Sequence, residues 1–294
     1  MTAGQAAASL APSDGPLAMI CGGGSLPMAV ADHVHAQGRK VVLFPLTGAA
    51  DGLPVERYPH HWLRIGQLGK FMRLARAEGA RDVVFIGALI RPRILQTWPD
   101  LKALTMMPRI VAAFRGGDDH LLTGMARLLE EEGFHLRGAH EVAPQILVPE
   151  GVLGGIKPSE ADRADIAFGM AYLDAASPYD IGQAVVVANR HVLAVEAIEG
   201  TDRMLARVAE LRTSGRIRSA AGRGVMVKAP KRDQDRRFDL PSIGPQTVEG
   251  VARAGLAGIA VVGGATIMAE ADKLIAAADR AKVFVFGVPP DAQP

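Results

Sequence analysis

Short apolar runs alternate with amphipathic stretches through the first half of the chain. Leu17 to Cys21, Val41 to Leu46, Trp62 to Ile65 and Asp82 to Gly87 have strand length and an apolar, largely β-branched character. Between the first two, Met28 to Gln37 reads as a helix closed by Gly38. Leu68, Phe71, Met72 and Ala75 fall at i, i+3, i+4 and i+7, one helical face ended by Gly79. Asp118 or Asp119 is placed to cap a further helix, with Leu121, Met125 and Leu128 on one face and Gly133 at its end. Strand–helix alternation of this kind predicts a parallel, Rossmann-like sheet.

From Val142 to Pro158 the chain carries Pro144, Pro149, Gly151, Gly154, Gly155 and Pro158, a density of breakers that marks a boundary. Beyond it the pattern changes. A helical segment from Asp162 to Ala176 precedes two runs, Ala184 to Ala188 and Val192 to Ala197, which read as a hairpin around Asn189-Arg190-His191. A helix capped by Thr201 follows, with Met204, Leu205, Val208 and Leu211 on its apolar side. Val225 to Lys228, Gly258 to Val262 and Val283 to Val288 are further strands, with helices near Pro245 to Ala254 and Glu270 to Ala281. The expected organisation is a disordered extension over 1–16, a Rossmann-like domain over 17–145, a linker over 146–160 and a second α/β domain over 161–294. A ligand cleft is expected between the two domains. No internal repeat is seen.

Composition narrows the class. Of 294 residues, 49% are hydrophobic and 22% charged, a balance that supports a packed core and excludes a mostly disordered chain. The 33 glycines are about 11% of the chain, above the usual ~7%, and suit βα turns and close helix-on-sheet packing. The single cysteine, Cys21, excludes an internal disulfide and a paired-cysteine metal site and reads as packing. Met1 to Pro16 holds no Lys or Arg and no leader-length apolar run, and no stretch approaches the ~20 apolar residues of a membrane span. An intracellular, soluble protein is expected.

Five features carry candidate chemistry. A strand runs into Gly22-Gly23-Gly24-Ser25 and then a helix, the arrangement in which backbone N–H groups approach a phosphate. The dinucleotide fingerprint is incomplete, because Pro27 takes the third glycine position and Val42, Leu43 and Phe44 occupy the stretch where the ribose-binding acid belongs. A phosphate site and a merely tight turn both remain open. Arg91, beyond the strand ending at Gly87, offers a bidentate donor or is a surface arginine before Pro92. In the second half, Asp180-Ile181-Gly182-Gln183 sets polar groups against an apolar strand, and Glu196 interrupts another. A carboxylate there faces solvent, is paired, or binds metal. Thr201 is a cap or a ligand-binding hydroxyl at a helix N-terminus.

The fourth feature is Arg212 to Arg237, with nine Lys/Arg against two Asp in a chain whose net charge is only +2. Such a patch suits an anionic ligand or an acidic membrane surface, or is a solvated face. Lys228 stands apart because it ends an apolar strand. No aromatic interleaves the run before Phe238, so nucleic-acid stacking is not supported. Fifth, Asp239 lies in Asp239-Leu240-Pro241-Ser242-Ile243-Gly244, a rigid loop suited to a Mg²⁺ ligand at a phosphoanhydride or to an ordinary turn. The eight histidines lack metal-site spacing, and no P-loop or G-x-S-x-G pattern occurs.

Taken in order, the glycine run through Pro27 is one of several matching segments. The others are Gly116-Gly117-Asp118-Asp119, Gly138-Ala139-His140-Glu141-Val142, Asp180 to Gln183, Ala194 to Asp202, Val227 to Lys231 and Asp239 to Gly244. Together they resemble the LpxI-type UDP-2,3-diacylglucosamine pyrophosphatases over about residues 17 to 290. The resemblance implies two domains and Mg²⁺-dependent hydrolysis of UDP-2,3-diacylglucosamine to UMP and 2,3-diacylglucosamine 1-phosphate (lipid X) in lipid A biosynthesis. It also implies that the aspartate of the D-L-P motif, here Asp239, is essential, and on the chemistry of the reaction Asp239 is expected to hold Mg²⁺ and orient the water. Lys228 is then expected to offset pyrophosphate charge, and Gly22, Gly23, Gly24, Ser25, Arg91 and Thr201 to bind substrate. Gln183 and Glu196 are expected at sugar, nucleotide or metal, with Glu196 the second metal ligand. A cytoplasmic homodimer visiting the inner-membrane surface, with the basic stretch as docking face, completes the expectation. A NAD(P)-linked oxidoreductase and a non-catalytic nucleotide-sugar or lipid binder are the competing classes.

Overall fold

A computed structural model describes residues 15–88, 100, 102, 118–179, 181–232, 235–237 and 240–290, with the backbone alone for 118–123 and 125. Arg91 and Asp239 lie outside the described residues, as does the extension up to residue 14. The chain divides into two compact units, Met1–Ala143 and Pro144–Pro294.

In the first unit, β1 (Leu17–Cys21) is the central strand, and every one of its five residues is buried. It pairs in parallel with β2 (Val41–Pro45) on one side and β3 (Asp82–Ile86) on the other. That burial on both edges and faces is why its sequence is apolar without alternation. β4 (His135–Arg137) adds beyond β3, so the all-parallel order is β2-β1-β3-β4. Helix α1 (Leu26–Ala36) accepts Pro27 in its first turn, where a missing N–H costs nothing, and buries Met28, Val30, Ala31 and Val34. Helix α2 (Leu68–Ala77) buries Phe71, Met72 and Ala75, the face predicted for it. Phe71 meets Phe44 of β2 edge-on, with ring centroids 4.9 Å apart. Helices α3 (Asp118–Glu131) and α4 (Ala139–Val142) flank β4.

The amino-terminal edge of this sheet holds a buried ion cluster. Asp82 is fully buried and bonds Arg39 at 2.6 Å, with Arg137 and His135 each 3.4 Å away. Trp62 to Ile65 does not form the expected strand. Its one bridge is Leu46–Leu63, just past β2, with Leu43–His60 before it, and Gly66 at φ 100° turns the chain away.

The second unit is a six-stranded mixed sheet in the order β5-β12-β10-β8-β6-β7. Strands β8 (Val225–Lys228), β10 (Gly258–Val262) and β12 (Phe284–Val288) are parallel. The hairpin of β6 (Ala184–Ala188) and β7 (His191–Val195) joins antiparallel to β8. β5 (Gly151–Leu153) pairs antiparallel with β12, so the segment expected to be a linker contributes an edge strand instead. Its glycines and prolines bound a strand of three residues, too short to show a period.

Side-chain alternation sorts the two faces. Val185, Val187, Val225 and Val227 pack with Ile166, Met170 and Leu173 of α5 (Glu160–Ala176). Ala184, Val186, Ala194 and Met226 pack with α6 (Thr201–Thr213), α7 (Pro245–Arg253) and α8 (Ala271–Ala281). The hairpin turn puts Asn189 and Arg190 at φ 54° and 56°, and both N–H groups donate to the buried Asp165 of α5. A small parallel pair, β9 (Ser242–Ile243) and β11 (Ile267–Met268), ties the segment after Asp239 to the loop beyond β10.

Candidate active site

The alternation that builds the core also aims the polar residues. On β8, Met226 faces α6, so Lys228, two residues on, points the same way at the strand's end. On β7, Ala194 faces α6, and Glu196 repeats that parity just past the strand. Lys228 lies opposite Ala184, the first residue of β6, so Gln183, Glu196 and Lys228 gather at one edge of the sheet. Thr201 opens α6 at the same edge, behind Gly200 with φ 81°.

The four residues are joined by hydrogen bonds. Lys228 Nζ donates to Thr201 Oγ1 at 2.8 Å, and Thr201 Oγ1 donates to Glu196 Oε1 at 2.8 Å. Glu196 Oε2 accepts the main-chain N–H of Gln183 at 3.0 Å. Lys228 and Glu196 are each only 8% exposed. The carboxylate is therefore buried and paired, and a solvent-facing position is ruled out. Gly182 makes this possible. A Cβ there would lie 2.5 Å from both Glu196 Cγ and the Glu196 carbonyl, and the Gly182 N–H donates to that carbonyl at 3.1 Å. The sequence pattern does not single out Gly182.

The loop between Glu196 and Thr201 is braced from α6. Arg207 donates to the Val195 carbonyl and pairs with Glu199 at 2.7 Å. The main-chain N–H of Glu199 itself and then the Arg207 guanidinium hold the Glu199 carboxyl below its ordinary range. On the other side, Ala229 donates to the Gln183 carbonyl, and Ile267 donates to the Pro241 carbonyl. Both ends of the segment carrying Asp239 are thereby fixed, one of them directly beside Lys228.

The glycine run of the first unit resolves differently. The N–H of Gly22 donates to the Ile86 carbonyl, and that of Gly23 to the Ala88 carbonyl. A Cβ on Gly22 would fall 2.4 Å from the Ala88 oxygen, and one on Gly87 2.8 Å from the Gly22 carbonyl carbon. At Gly22 the packing of the β3 turn accounts for the residue type, at Gly23 the Ala49 carbonyl of the loop after β2, 2.7 Å from where a Cβ would sit, and the bonds to Ile86 and Ala88 consume both donors. Any anion here would have to use Gly24 and Ser25, where Ser25 precedes α1 without a side-chain cap bond. Arg91 falls outside the described residues and is not placed against them.

The basic stretch is less of a free surface than its count implies. Arg212 donates to the carbonyls of Ala254 and Ser219, Arg232 pairs with Asp174, and Arg237 pairs with Asp235 at 2.7 Å. With Lys228 in the buried network and Lys231 also engaged, five of the nine cations have partners. Arg216, Arg218 and Arg223 are exposed on the loop before β8, at the opposite end of that strand from Lys228.

With this geometry in view, the comparisons are direct. The LpxI N-terminal domain matches residues 16–146, and the LpxI C-terminal domain matches residues 149–286. The chain belongs to the LpxI family. It is 42% identical over 278 residues to the UDP-2,3-diacylglucosamine pyrophosphatase LpxI of Caulobacter vibrioides, a match covering 95% of this chain and 99% of that relative. The junction between the two LpxI domains falls within a few residues of the division between the structural units. The buried network lies wholly within the LpxI C-terminal domain.

Proposed function

We propose that this LpxI-family chain hydrolyses the pyrophosphate of UDP-2,3-diacylglucosamine, releasing UMP and 2,3-diacylglucosamine 1-phosphate in lipid A biosynthesis. The observation that carries the reading is near end-to-end similarity to a UDP-2,3-diacylglucosamine pyrophosphatase. The convergence of Lys228, Thr201, Glu196 and Gln183 at one sheet edge supports it. In the reaction, water adds to one phosphorus and the P–O bond to the bridging oxygen breaks, with negative charge growing on the phosphoryl oxygens. Lys228 brings a positive charge to a mostly buried strand end, where it acts more strongly than in water. The first turn of α6 adds main-chain N–H groups and the positive end of a helix dipole. Both favour the charge that develops.

The proposal includes Mg²⁺, which when bound would neutralise phosphate charge and lower the pKa of a bound water. Among the described residues, no cluster of three or more His, Cys, Asp or Glu could hold a metal ion. Both oxygens of Glu196 already accept hydrogen bonds. The described side chains therefore do not complete a Mg²⁺ site. The requirement rests on Asp239 together with the substrate's own phosphate oxygens, and no step here is routed through the ion. Asp239 carries the assigned role of orienting water.

The reading also takes in a cytoplasmic homodimer that meets the anionic inner-membrane surface to collect its lipid substrate. The exposed arginines 216, 218 and 223 support the membrane encounter. Among the described residues, no helix is long and apolar enough to cross a membrane.

The test is UMP release from UDP-2,3-diacylglucosamine by purified protein, with Mg²⁺ and with excess EDTA, for the wild type and Asp239→Ala. Expected is metal-dependent release that falls at least ~100-fold in the variant, the scale on which transition-state stabilisation is lost. Tight substrate binding without UMP release would make the chain a nucleotide-sugar or lipid binder.

A further inference from the structure

We propose that Glu196 is a positioning residue, which locks the Thr201 hydroxyl and through it the Lys228 ammonium, and that it is not a ligand of the metal. The inference deepens the pyrophosphatase reading and rests on it for the substrate's identity. Three features of the geometry carry it. First, both carboxylate oxygens already accept a hydrogen bond, Oε1 from the Thr201 hydroxyl and Oε2 from the Gln183 main-chain N–H, which fixes the plane of the carboxylate. Second, the protons have one consistent arrangement. An ammonium only donates and an ionised carboxylate only accepts, so Thr201 must accept from Lys228 and donate to Glu196. The hydroxyl cannot turn to a ligand without breaking one of these bonds.

Third, the site is built around a cation already. Lys228 stands one hydroxyl away from Glu196, and both side chains are buried. A divalent ion on the same carboxylate would face that ammonium across a few ångströms of protein, where repulsion between like charges is poorly screened. The carboxylate also has little freedom to reach elsewhere, because the Gly182 backbone is packed against its stem. What Glu196 supplies is a nearby counter-charge for a buried lysine. Thr201 carries that influence while keeping the ammonium and the Glu196 carboxylate apart, so the lysine is oriented from one side through the hydroxyl. This gives the Ala194 to Asp202 segment a specific task. It folds back so that one carboxylate at its start and one hydroxyl near its end set the direction of a lysine from another strand.

The experiment compares Glu196→Gln, Thr201→Val, Thr201→Ser and the Glu196→Gln/Thr201→Val double variant in the full chain. Hydrolysis is followed for kcat, KM and the Mg²⁺ concentration giving half-maximal rate. The Lys228 ammonium is followed separately in ¹⁵N-lysine-labelled protein without substrate, since a hydrogen-bonded ammonium exchanges its protons slowly with water. Expected is a roughly ten- to hundred-fold fall in kcat/KM for Glu196→Gln and for Thr201→Val, the size of losing a hydrogen bond to a charged group. The double variant should be no worse than the poorer single one, as for two members of one network. Thr201→Ser, which keeps the hydroxyl, should restore most of the rate. The half-saturating Mg²⁺ concentration should stay close to wild type, and the Lys228 signal should shift and broaden in both single variants.

A tenfold or larger rise in the Mg²⁺ requirement confined to Glu196→Gln would make that residue a metal ligand and overturn the inference. Additive losses, or a Lys228 signal unchanged in Thr201→Val, would do the same. Absence of hydrolysis by the wild type would sink the pyrophosphatase reading alone, because the lysine signal still decides the network.

Discussion

Cys21 shows how much a single side chain's surroundings decide. It ends β1, is fully buried and donates its Sγ proton to the Met19 carbonyl. Burial pushes its thiol pKa up to about 12. Thiolate is the reactive form, so the native protein should fail to react with a thiol reagent at pH 8, and should react fully once unfolded in urea. Rapid labelling of folded protein would show that the end of β1 opens. Gly182 is a second such position. Gly182→Ala forces a methyl against Glu196 and its backbone, an overpacking expected to cost about 1–3 kcal/mol. Activity should fall with it, since the same contact places the carboxylate. Urea midpoints and turnover measured together check this, and full activity would detach Gly182 from the site. Nothing in the sequence singles out Gly182, because its constraint comes from a strand more than a dozen residues away.

Elements were legible wherever the period was strong. The faces of α2 and α6, and the strands Leu17–Cys21, Val225–Lys228 and Gly258–Val262, follow directly from apolar spacing. β4 and β5, with three residues each, carry no period to detect. The site was half visible for a related reason. Gln183, Glu196, Thr201 and Lys228 stand out singly as polar residues in apolar surroundings, but their meeting depends on β6 and β7 pairing antiparallel to β8. Parity along Val225-Met226-Val227-Lys228 then decides that the lysine faces α6.

The Asp82 cluster was not legible at all. An Asp before a β-branched run looks like a strand boundary, and its partners lie 43 and 55 residues away. Replacing a fully buried carboxylate leaves Arg39 and the buried Arg137 without their counter-charge. Asp82→Asn should destabilise the protein by about 3 kcal/mol, at the lower edge for breaking a buried ion pair because Arg39 is partly exposed. Chemical denaturation checks the size, and a change under ~0.5 kcal/mol would make the cluster incidental to stability.

At the scale of the whole molecule, net charge hides a division of labour. The chain sums to only +2, so no long-range field draws it to an anionic surface, and the proposed recruitment rests on local clusters. Five cations of the Arg212–Arg237 stretch are engaged, Arg212, Lys228, Lys231, Arg232 and Arg237. The others are Arg236 and, on the loop before β8, Arg216, Arg218 and Arg223, all four exposed. Each basic side chain near an acidic leaflet is worth ~1 kcal/mol, so the three on the loop together supply ~3 kcal/mol, or roughly a hundredfold in partitioning. Changing all three to Glu should lower binding to anionic vesicles by at least that factor at low salt, and binding by the unaltered chain should weaken steeply as salt rises. Hydrolysis of detergent-dispersed substrate should be unaffected, because the loop lies at the far end of β8 from Lys228. Vesicle sedimentation and the detergent assay, run on the same preparations, separate the two effects. Loss of the detergent-phase rate would mean that the loop serves the site itself. Unchanged vesicle binding would move the membrane contact away from this loop.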